Sequence, residues 1–149
     1  MKNEELKNLA KAIIKDAYLM SLATVDENGV WVADLIYVSD TNFNLYWISM
    51  PNARHSLAVE QNNKVACTIT ASYMTNKERA LQIQGIAKKI HGPLFEYEKK
   101  LEMKRGLPIP QAAGEILEKG HMWYVLKPTK IELLHSEPFE YERQSIDIG

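Results

Sequence analysis

A short polar turn between two strand-like segments constrains the fold of this chain most strongly. Tyr18–Val25 and Val30–Val38 are rich in residues that favour strands, and only Asp26–Gly29 separates them. A Gly at the end of such a turn readily supplies the positive φ that many tight turns require. Because a parallel pair would need a crossover of a dozen or more residues, two strands joined this closely must be antiparallel. The segment therefore predicts a β-hairpin.

Further strand-like segments follow at similar spacing, and most of the connections between them are short and polar. In order, the predicted strands are Leu45–Ser49, Lys64–Ala71, Arg79–Ile90, Met122–Leu126 and Thr129–Leu134. The last two are expected to form a closing hairpin around Lys127-Pro128. Strands joined mostly by hairpin-length turns favour an antiparallel barrel over a parallel sheet.

Helical patterns flank these strands. Apolar residues recur at helical spacing over roughly 4–17, with Asn3 as the expected N-cap. Asn52 can cap a second helix that runs to about Gln61. Gly92-Pro93 opens a helical insertion over 92–120, whose second helix is predicted near 111–118. The chain is therefore predicted to be one mainly β domain over residues 1–149, with six or seven strands, an N-terminal helix and a helical insertion.

Composition excludes several classes of function. The net charge of −1 argues against nonspecific nucleic-acid binding, which needs a basic surface. No apolar run approaches the roughly 20 residues of a membrane span, and the charged N-terminus lacks a signal-peptide core. We therefore expect a cytoplasmic protein without nucleic-acid or membrane partners. The single Cys67 lies in an apolar segment and is expected to be a buried, inert thiol.

Sequence motifs for several common kinds of site are missing. The histidines have no His-x-His or Glu-x-x-His spacing, so no metal site is predicted. Neither a Gly-x-Gly-x-x-Gly nor a Gly-Lys-Ser/Thr motif occurs, which leaves a Rossmann or Walker-type site unsupported. No arrangement of nucleophile and base can be argued from spacing, and no catalytic residue is assigned.

The start of the second predicted helix is the best candidate for a binding site. Arg54 and His55 lie where the Pro-Asn loop turns into this helix. A helix N-terminus offers free backbone N–H groups and the positive end of the helix dipole, so it favours anions. With hydroxyls from Ser49 and Ser56, these side chains form a plausible phosphate cradle.

Several motifs in combination resemble the pyridoxamine 5′-phosphate oxidase-like family of FMN-binding split β-barrel proteins. They are the opening hairpin YLMSLATVDENGVWVADLIYVSD, the strand LYWIS, the helix start with Arg54-His55, then VACTI, ALQIQGIAKKI and MWYVLKPTKIELL. The resemblance covers most of the chain, and the chain length is closer to the small bacterial branch than to the oxidase itself. It implies an antiparallel split β-barrel that binds FMN, acts as an oxidoreductase and forms a homodimer with the flavin between subunits.

The resemblance also implies which residues hold the flavin. The ring is expected along the backbone of the second strand and at the end of the third, and the phosphate at the helix start. Trp123, with His121, is the candidate contribution from the partner chain. The implied cofactor-binding residues are Asp34, Leu35, Ile36, Tyr37, Ile48, Ser49, Arg54, His55 and Trp123.

Two departures from the family pattern leave other functions open. His55 stands where the family has a Lys, and histidine is only partly charged at neutral pH. Ala80 stands where the oxidase has a Gln. The alternatives are a non-catalytic flavin or small-ligand binding protein of the same fold, and a cofactor-free dimeric interaction module. The substrate and electron donor are not predicted.

Overall fold

A computed structural model describes residues 2–72, 74, 75, 77–139 and 142–149. The chain forms one antiparallel sheet with helices packed around it. In chain order the elements are α1 (Asn3–Asp16), β1 (Leu19–Asp26), β2 (Gly29–Ile36), β3 (Val38–Ser39), β4 (Leu45–Ser49), α2 (Arg54–Gln61), β5 (Lys64–Ser72), β6 (Arg79–Ile90), α3 (Phe95–Arg105), a 3₁₀ turn (Glu118–Gly120), β7 (Met122–His135), α4 (Ser136–Phe139) and β8 (Gln144–Ile146).

The strands lie in the order β2-β1-β5-β6-β7-β4-β3, and β8 pairs with β7. Every pairing is antiparallel, and the sheet curls into a split barrel, so the predicted fold class is confirmed. Two of the strands, β3 and β8, have only two and three residues. The predicted N-terminal helix and the helical insertion are both present.

The main core lies between the inner face of the sheet and α1. Strand β5 alternates strictly, with Val65, Cys67 and Ile69 buried and the residues between them exposed. The buried positions of α1 recur at helical spacing and therefore lie on one side of the helix. This apolar side packs over the buried residues of β5. Tyr37 lies at the end of this core, and its hydroxyl donates a hydrogen bond to the Ile14 carbonyl oxygen at 2.7 Å.

A second core holds the helical insertion against β3, β4 and β7. Leu101 of α3 packs on Val38 and Trp123, all three of them buried. Glu98 is fully buried and accepts hydrogen bonds from the Trp123 indole at 2.9 Å and from the backbone N–H groups of Leu94 and Gly114 at 2.6 and 2.7 Å. A buried carboxylate needs such partners, so this cluster pins both ends of the insertion to the barrel.

The predicted closing hairpin is wrong, because Met122–His135 is one continuous strand. Lys127 and Pro128 pair across to Ile86 and Gly85, where the register of β6 and β7 shifts at a β-bulge. A proline cannot donate to a sheet ladder, and a bulge is one of the places that tolerates it. The Lys-Pro pair therefore bends the strand instead of ending it.

Three helix predictions also need correction. Asn52 does not cap α2, because this helix begins at Arg54 and its N-cap residue is Ala53. Residues 111–117 form turns instead of a helix, because Gly114 takes a positive φ of 82° and the Glu115 carboxylate accepts the Gln111 N–H. Asn3 is the first residue of α1 and not its cap. Its side chain instead exchanges two hydrogen bonds of 2.9 Å with the backbone of Asp147 and so ties the C-terminal segment to α1.

The bulge predicts that Gly85→Ala destabilises the fold. A Cβ at this position would lie 2.4 Å from the Lys127 carbonyl oxygen and 2.7 Å from Leu126 Cδ2. Strands β6 and β7 are paired at this point and cannot move apart freely. We therefore expect Gly85→Ala to lower the free energy of unfolding by about 1–3 kcal/mol, measured by chemical denaturation. The exposed neighbour Gln84→Ala should change it by less than about 0.5 kcal/mol. Equal stability of both variants would contradict this account of the bulge.

Candidate functional site

The outer face of the sheet carries rows of small and polar side chains. Strand register places Asp34, Ser21, Thr68, Gln82 and Glu132 side by side across five adjacent strands. The Ser21 hydroxyl donates to the Asp34 carboxylate at 2.6 Å. This row offers a line of hydrogen-bonding groups to a ligand lying across the strands.

A shallow groove of about 410 Å³ runs along this row and the next one. Ala23 and Ala66 are cross-strand partners there, and their short side chains leave the space. Cys67 borders the groove, but its side chain belongs to the main core, where burial raises the pKa of the thiol to about 12 and keeps it protonated. The groove is lined by Ser21, Ala23, Val32, Ala66, Cys67, Thr68, Gln82, Ile83, Gln84, Lys130 and Glu132.

Exposed apolar side chains surround the groove on the same face. Val30 is 70% exposed and Val32 is 57% exposed, although both lie in a strand. Leu19, Val25 and Ile86 point to the same side and are also exposed. Scattered exposed apolar residues are normal, but a patch of this kind on one sheet face is typical of an interaction surface.

Strand β2 is an edge of the sheet. It pairs with β1 on one side, and among the described strands it has no second neighbour. Its other side therefore presents backbone N–H and C=O groups that are available to a ligand or a partner. Helix α2 packs against both β1 and β2, which brings the start of this helix close to the free edge.

Ser49 and His55 form a hydrogen-bonded pair beside the start of α2. Ser49 Oγ lies 2.7 Å from His55 Nε2, and Ser49 is only 7% exposed. Burial lowers the pKa of His55, so its imidazole is neutral at pH 7. The structure therefore places Ser49 and His55 side by side, as the sequence predicted. The neutral imidazole of His55 stands at the position where the pyridoxamine 5′-phosphate oxidase-like pattern has a Lys.

Arg54 turns away from this pair, toward the β1–β2 turn. Its guanidinium makes two hydrogen bonds to the Asp26 carboxylate, from Nε at 3.1 Å and from Nη2 at 3.3 Å. The same guanidinium lies 4.4 Å from the centre of the Trp31 ring. The hydrogen bond from Arg54 lowers the pKa of Asp26. Ser56, the other predicted cradle hydroxyl, is buried.

The nine predicted flavin residues fall into separate environments. Asp34 is exposed on the outer face, whereas Tyr37 and Trp123 are buried in the two cores of their own chain. Leu35 is partly buried against the main core, and Ile36 and Ile48 pack on the second core. Ile48 is the direct strand partner of Trp123. One chain does not bring these residues to a single cavity, and their role in flavin binding stays a prediction.

Sequence reasoning missed the groove residues on β1, β5 and β6. Their signal was the strict alternation of small or polar residues with buried apolar ones, in ACTIT of β5 and LQIQG of β6. Gln82 and Gln84 share an outward face only because of the strand register, which the sequence does not report. Nothing in the sequence marks Ala23 and Ala66 as residues of a site. They contribute to the groove only because they lie opposite each other on neighbouring strands.

Two further findings concern the described residues alone. They contain no group of three or more His, Cys, Asp or Glu side chains arranged to hold a metal ion. None of their helices combines the length and the apolar character needed to cross a membrane.

Comparison with solved structures identifies the fold. A candidate pyridoxamine 5′-phosphate oxidase from Listeria innocua matches with a TM-score of 0.68 at 16% identity, over 87% of this chain and 98% of that one. General stress protein 26 from Bacillus anthracis matches with a TM-score of 0.67 at 17% identity, over 95% and 98% of the two chains. The chain has the split-barrel fold of the pyridoxamine 5′-phosphate oxidase-like proteins.

A third similar structure is that of a candidate 5-nitroimidazole antibiotic resistance protein from Bacteroides thetaiotaomicron. It has a TM-score of 0.61 at 15% identity, over 81% of this chain and 78% of that one. No protein-family model and no curated protein sequence matches the chain. The resemblance inferred from the motifs is thus confirmed as a likeness of fold.

The buried His55 predicts a specific pH dependence of stability. Because burial lowers the pKa of His55 in the folded state, the unfolded chain binds this proton more readily. Stability should therefore fall as the pH drops below the unfolded value of about 6.5. His55→Gln should show a smaller loss of unfolding free energy between about pH 7.5 and pH 5.5 than the unmodified protein.

The control for this measurement is His91→Gln, since His91 is exposed. This variant should lose as much stability as the unmodified protein over the same pH range. His135, whose pKa burial also lowers, is present in all three proteins and contributes equally. An identical pH dependence in the His55 variant would contradict the prediction.

Proposed function

We propose that this protein is a homodimeric FMN-binding protein that acts as a flavin-dependent oxidoreductase. The observation that carries the proposal is the groove on the outer sheet face, bordered by exposed apolar side chains and by the free edge of β2. The split-barrel fold, which flavin-binding proteins share, supports the same function.

A second copy of the chain is the proposed cover for the outer face. Val30 and Val32 would leave water on association, and each well-buried Val contributes on the order of 1.5–3 kcal/mol. The small side chains of Ala23 and Ala66 would leave a cleft between the two subunits. Such a cleft suits a flat aromatic ring, because binding sites are concave and mostly apolar with a few polar groups.

The free edge of β2 fits the polar end of an isoalloxazine ring. That end carries both hydrogen-bond donors and acceptors, and an unpaired strand edge presents alternating N–H and C=O groups. The backbone of 34–37 lies at this edge and just beyond its end. Asp34, exposed and bonded to Ser21, would lie at the mouth of the site.

The start of α2 is the proposed place for the FMN phosphate. The Ser49–His55 pair lies there beside the backbone N–H groups of the first helical turn, and the Arg54 side chain starts from the same turn but points toward Asp26. This anchor fits only in part, since His55 is neutral and Arg54 is paired with Asp26. When bound, FMN would supply hydride or electron transfer, while the protein binds it, orients its ring and excludes water.

The ion pair of Arg54 favours a second candidate function. A flavin or small-ligand binding protein without turnover would need no strongly charged anchor. The two candidates differ in whether bound FMN is reduced by a donor such as NADH or NADPH. The described residues around the groove hold one ion pair, between Lys130 and Glu132 at 3.3 Å.

Titration of FMN tests the proposal directly. We expect the flavin fluorescence to change on binding, with saturation at about one FMN per subunit and light scattering at twice the mass of one chain. A monomer without affinity for FMN would overturn the proposal. Reduction of the bound flavin by a nicotinamide donor would separate the oxidoreductase from the binding protein.

A charged side chain introduced into the groove tests whether the dimer interface and the FMN site lie there. Ala66→Glu should produce a monomer and weaken FMN binding by tenfold or more, because an unpaired carboxylate in a closed interface is costly. Asn8→Glu places the same charge on the exposed side of α1 and should leave both properties unchanged. A dimer that still binds FMN in the Ala66 variant would contradict this placement.

A further inference from the structure

The guanidinium of Arg54 is already occupied by a carboxylate of its own chain. The bonds of 3.1 and 3.3 Å to Asp26 use the Nε–Nη2 edge, one of the two edges that can bind a carboxylate or a phosphate with two parallel N–H groups. The side chain of Asp26 is only 9% exposed and that of Arg54 is 35% exposed. Solvent therefore screens this pair less than an ordinary surface ion pair.

Other contacts hold both partners in place. The Asn28 backbone N–H donates to Asp26 Oδ1 at 2.9 Å, which fixes the carboxylate in the β1–β2 turn. The Trp31 ring lies 4.4 Å from the Arg54 guanidinium, in a cation–π contact. Arg54 would have to give up these contacts, or share them, in order to bind a phosphate with the same edge.

The surroundings of Arg54 are not electropositive. A pocket of about 330 Å³ at the start of α2 is lined by Asp26, Glu27, Asn28, Asn52, Arg54, Leu57 and Gln61. Two carboxylates and one guanidinium thus line this pocket, and the guanidinium is paired with Asp26. His55, the neighbouring residue, is neutral and bonded to Ser49. A phosphate dianion would meet little net positive charge at this end of the site.

We propose that Asp26 neutralises Arg54, so that the phosphate adds little to flavin affinity and FMN is bound as an exchangeable ligand. This inference rests on the proposed function and specifies it. A flavin held mainly by its ring would be taken up and released as a substrate or a carried ligand. Riboflavin and FMN would then bind with similar affinity.

The variant Asp26→Asn removes the charge and keeps the oxygen that accepts the Asn28 N–H. We expect FMN to bind this variant roughly tenfold more tightly, because Arg54 becomes available to the phosphate. Riboflavin, which has no phosphate, should change by less than about twofold. The control is Glu5→Gln, which removes an exposed charge of α1 outside this pocket and should leave the ratio of the two dissociation constants unchanged.

Arg54→Ala completes a double-mutant cycle. In the unmodified background this change should weaken FMN binding by less than about threefold, whereas in the Asp26→Asn background it should abolish the tenfold gain. The ratio of FMN to riboflavin affinity is the readout, since a general loss of stability would affect both ligands equally. Fluorescence titration of each protein with FMN and riboflavin provides these values.

Each outcome decides the proposal. Equal or weaker FMN binding by the Asp26 variant would show that Asp26 orients Arg54 for the phosphate, and would overturn the inference. So would an unmodified protein that binds FMN more than about a hundredfold more tightly than riboflavin. If Asp26→Asn does not fold, a tenfold or larger loss of FMN affinity in the single variant Arg54→Ala is enough to reject the proposal. If no protein binds either flavin, the proposed function fails as well.

Discussion

The pairing of β7 with its neighbours holds the two halves of the molecule together. Its N-terminal half pairs with β4 and its C-terminal half with β8, while β6 follows it along most of its length. Trp123 and Leu133 of this strand belong to different cores. The bulge at Gly85 and Pro128 allows one strand to serve both, because it bends the ladder without ending it.

The insertion after β6 depends on this strand as well. Glu98 accepts its hydrogen bond from Trp123 at 2.9 Å, and this contact joins α3 to the barrel. Lys104 adds a second link by donating to the Tyr37 carbonyl at 2.7 Å, and burial lowers the pKa of this lysine to about 8. Helix α3 is therefore held by polar contacts to β7 and to the residue between β2 and β3, and not by an amphipathic face alone.

The outer face of the sheet shows the opposite character. Its rows of side chains are small, polar or exposed and apolar, and within the described residues no helix covers them. The edge of β2 lies beside this face, and the start of α2 lies near that edge. The edge of β2 lies between the outer face and the start of α2, because α2 packs on the opposite face of the β1–β2 hairpin, where Arg54 contacts Trp31. These features are the ones on which the proposed site between two subunits rests, with Arg54 and Asp26 at one end.

Much of the fold was predictable from local patterns. The β1–β2 hairpin, the alternation of β5 and the amphipathic α1 follow from turn chemistry and periodicity, which act over a few residues. Lys127-Pro128 was misread as a turn, since a proline in a bulge and a proline in a turn have the same local signature. The turns at 111–117 were misread because the bond from Gln111 to Glu115 competes with a helix.

The candidate site was predictable only in part. Arg54, His55 and Ser49 were predicted to form one phosphate cradle; Ser49 and His55 are in contact at 2.7 Å, whereas Arg54 turns to Asp26. The pairing of Arg54 with Asp26 joins residues 28 positions apart, and no local pattern reports it. The sequence by itself determined most of the strands, the first helix and the polar loop before α2. The tertiary structure alone decided which side chains share the outer face and whether Arg54 carries a free charge, because both depend on strand register and on long-range contacts.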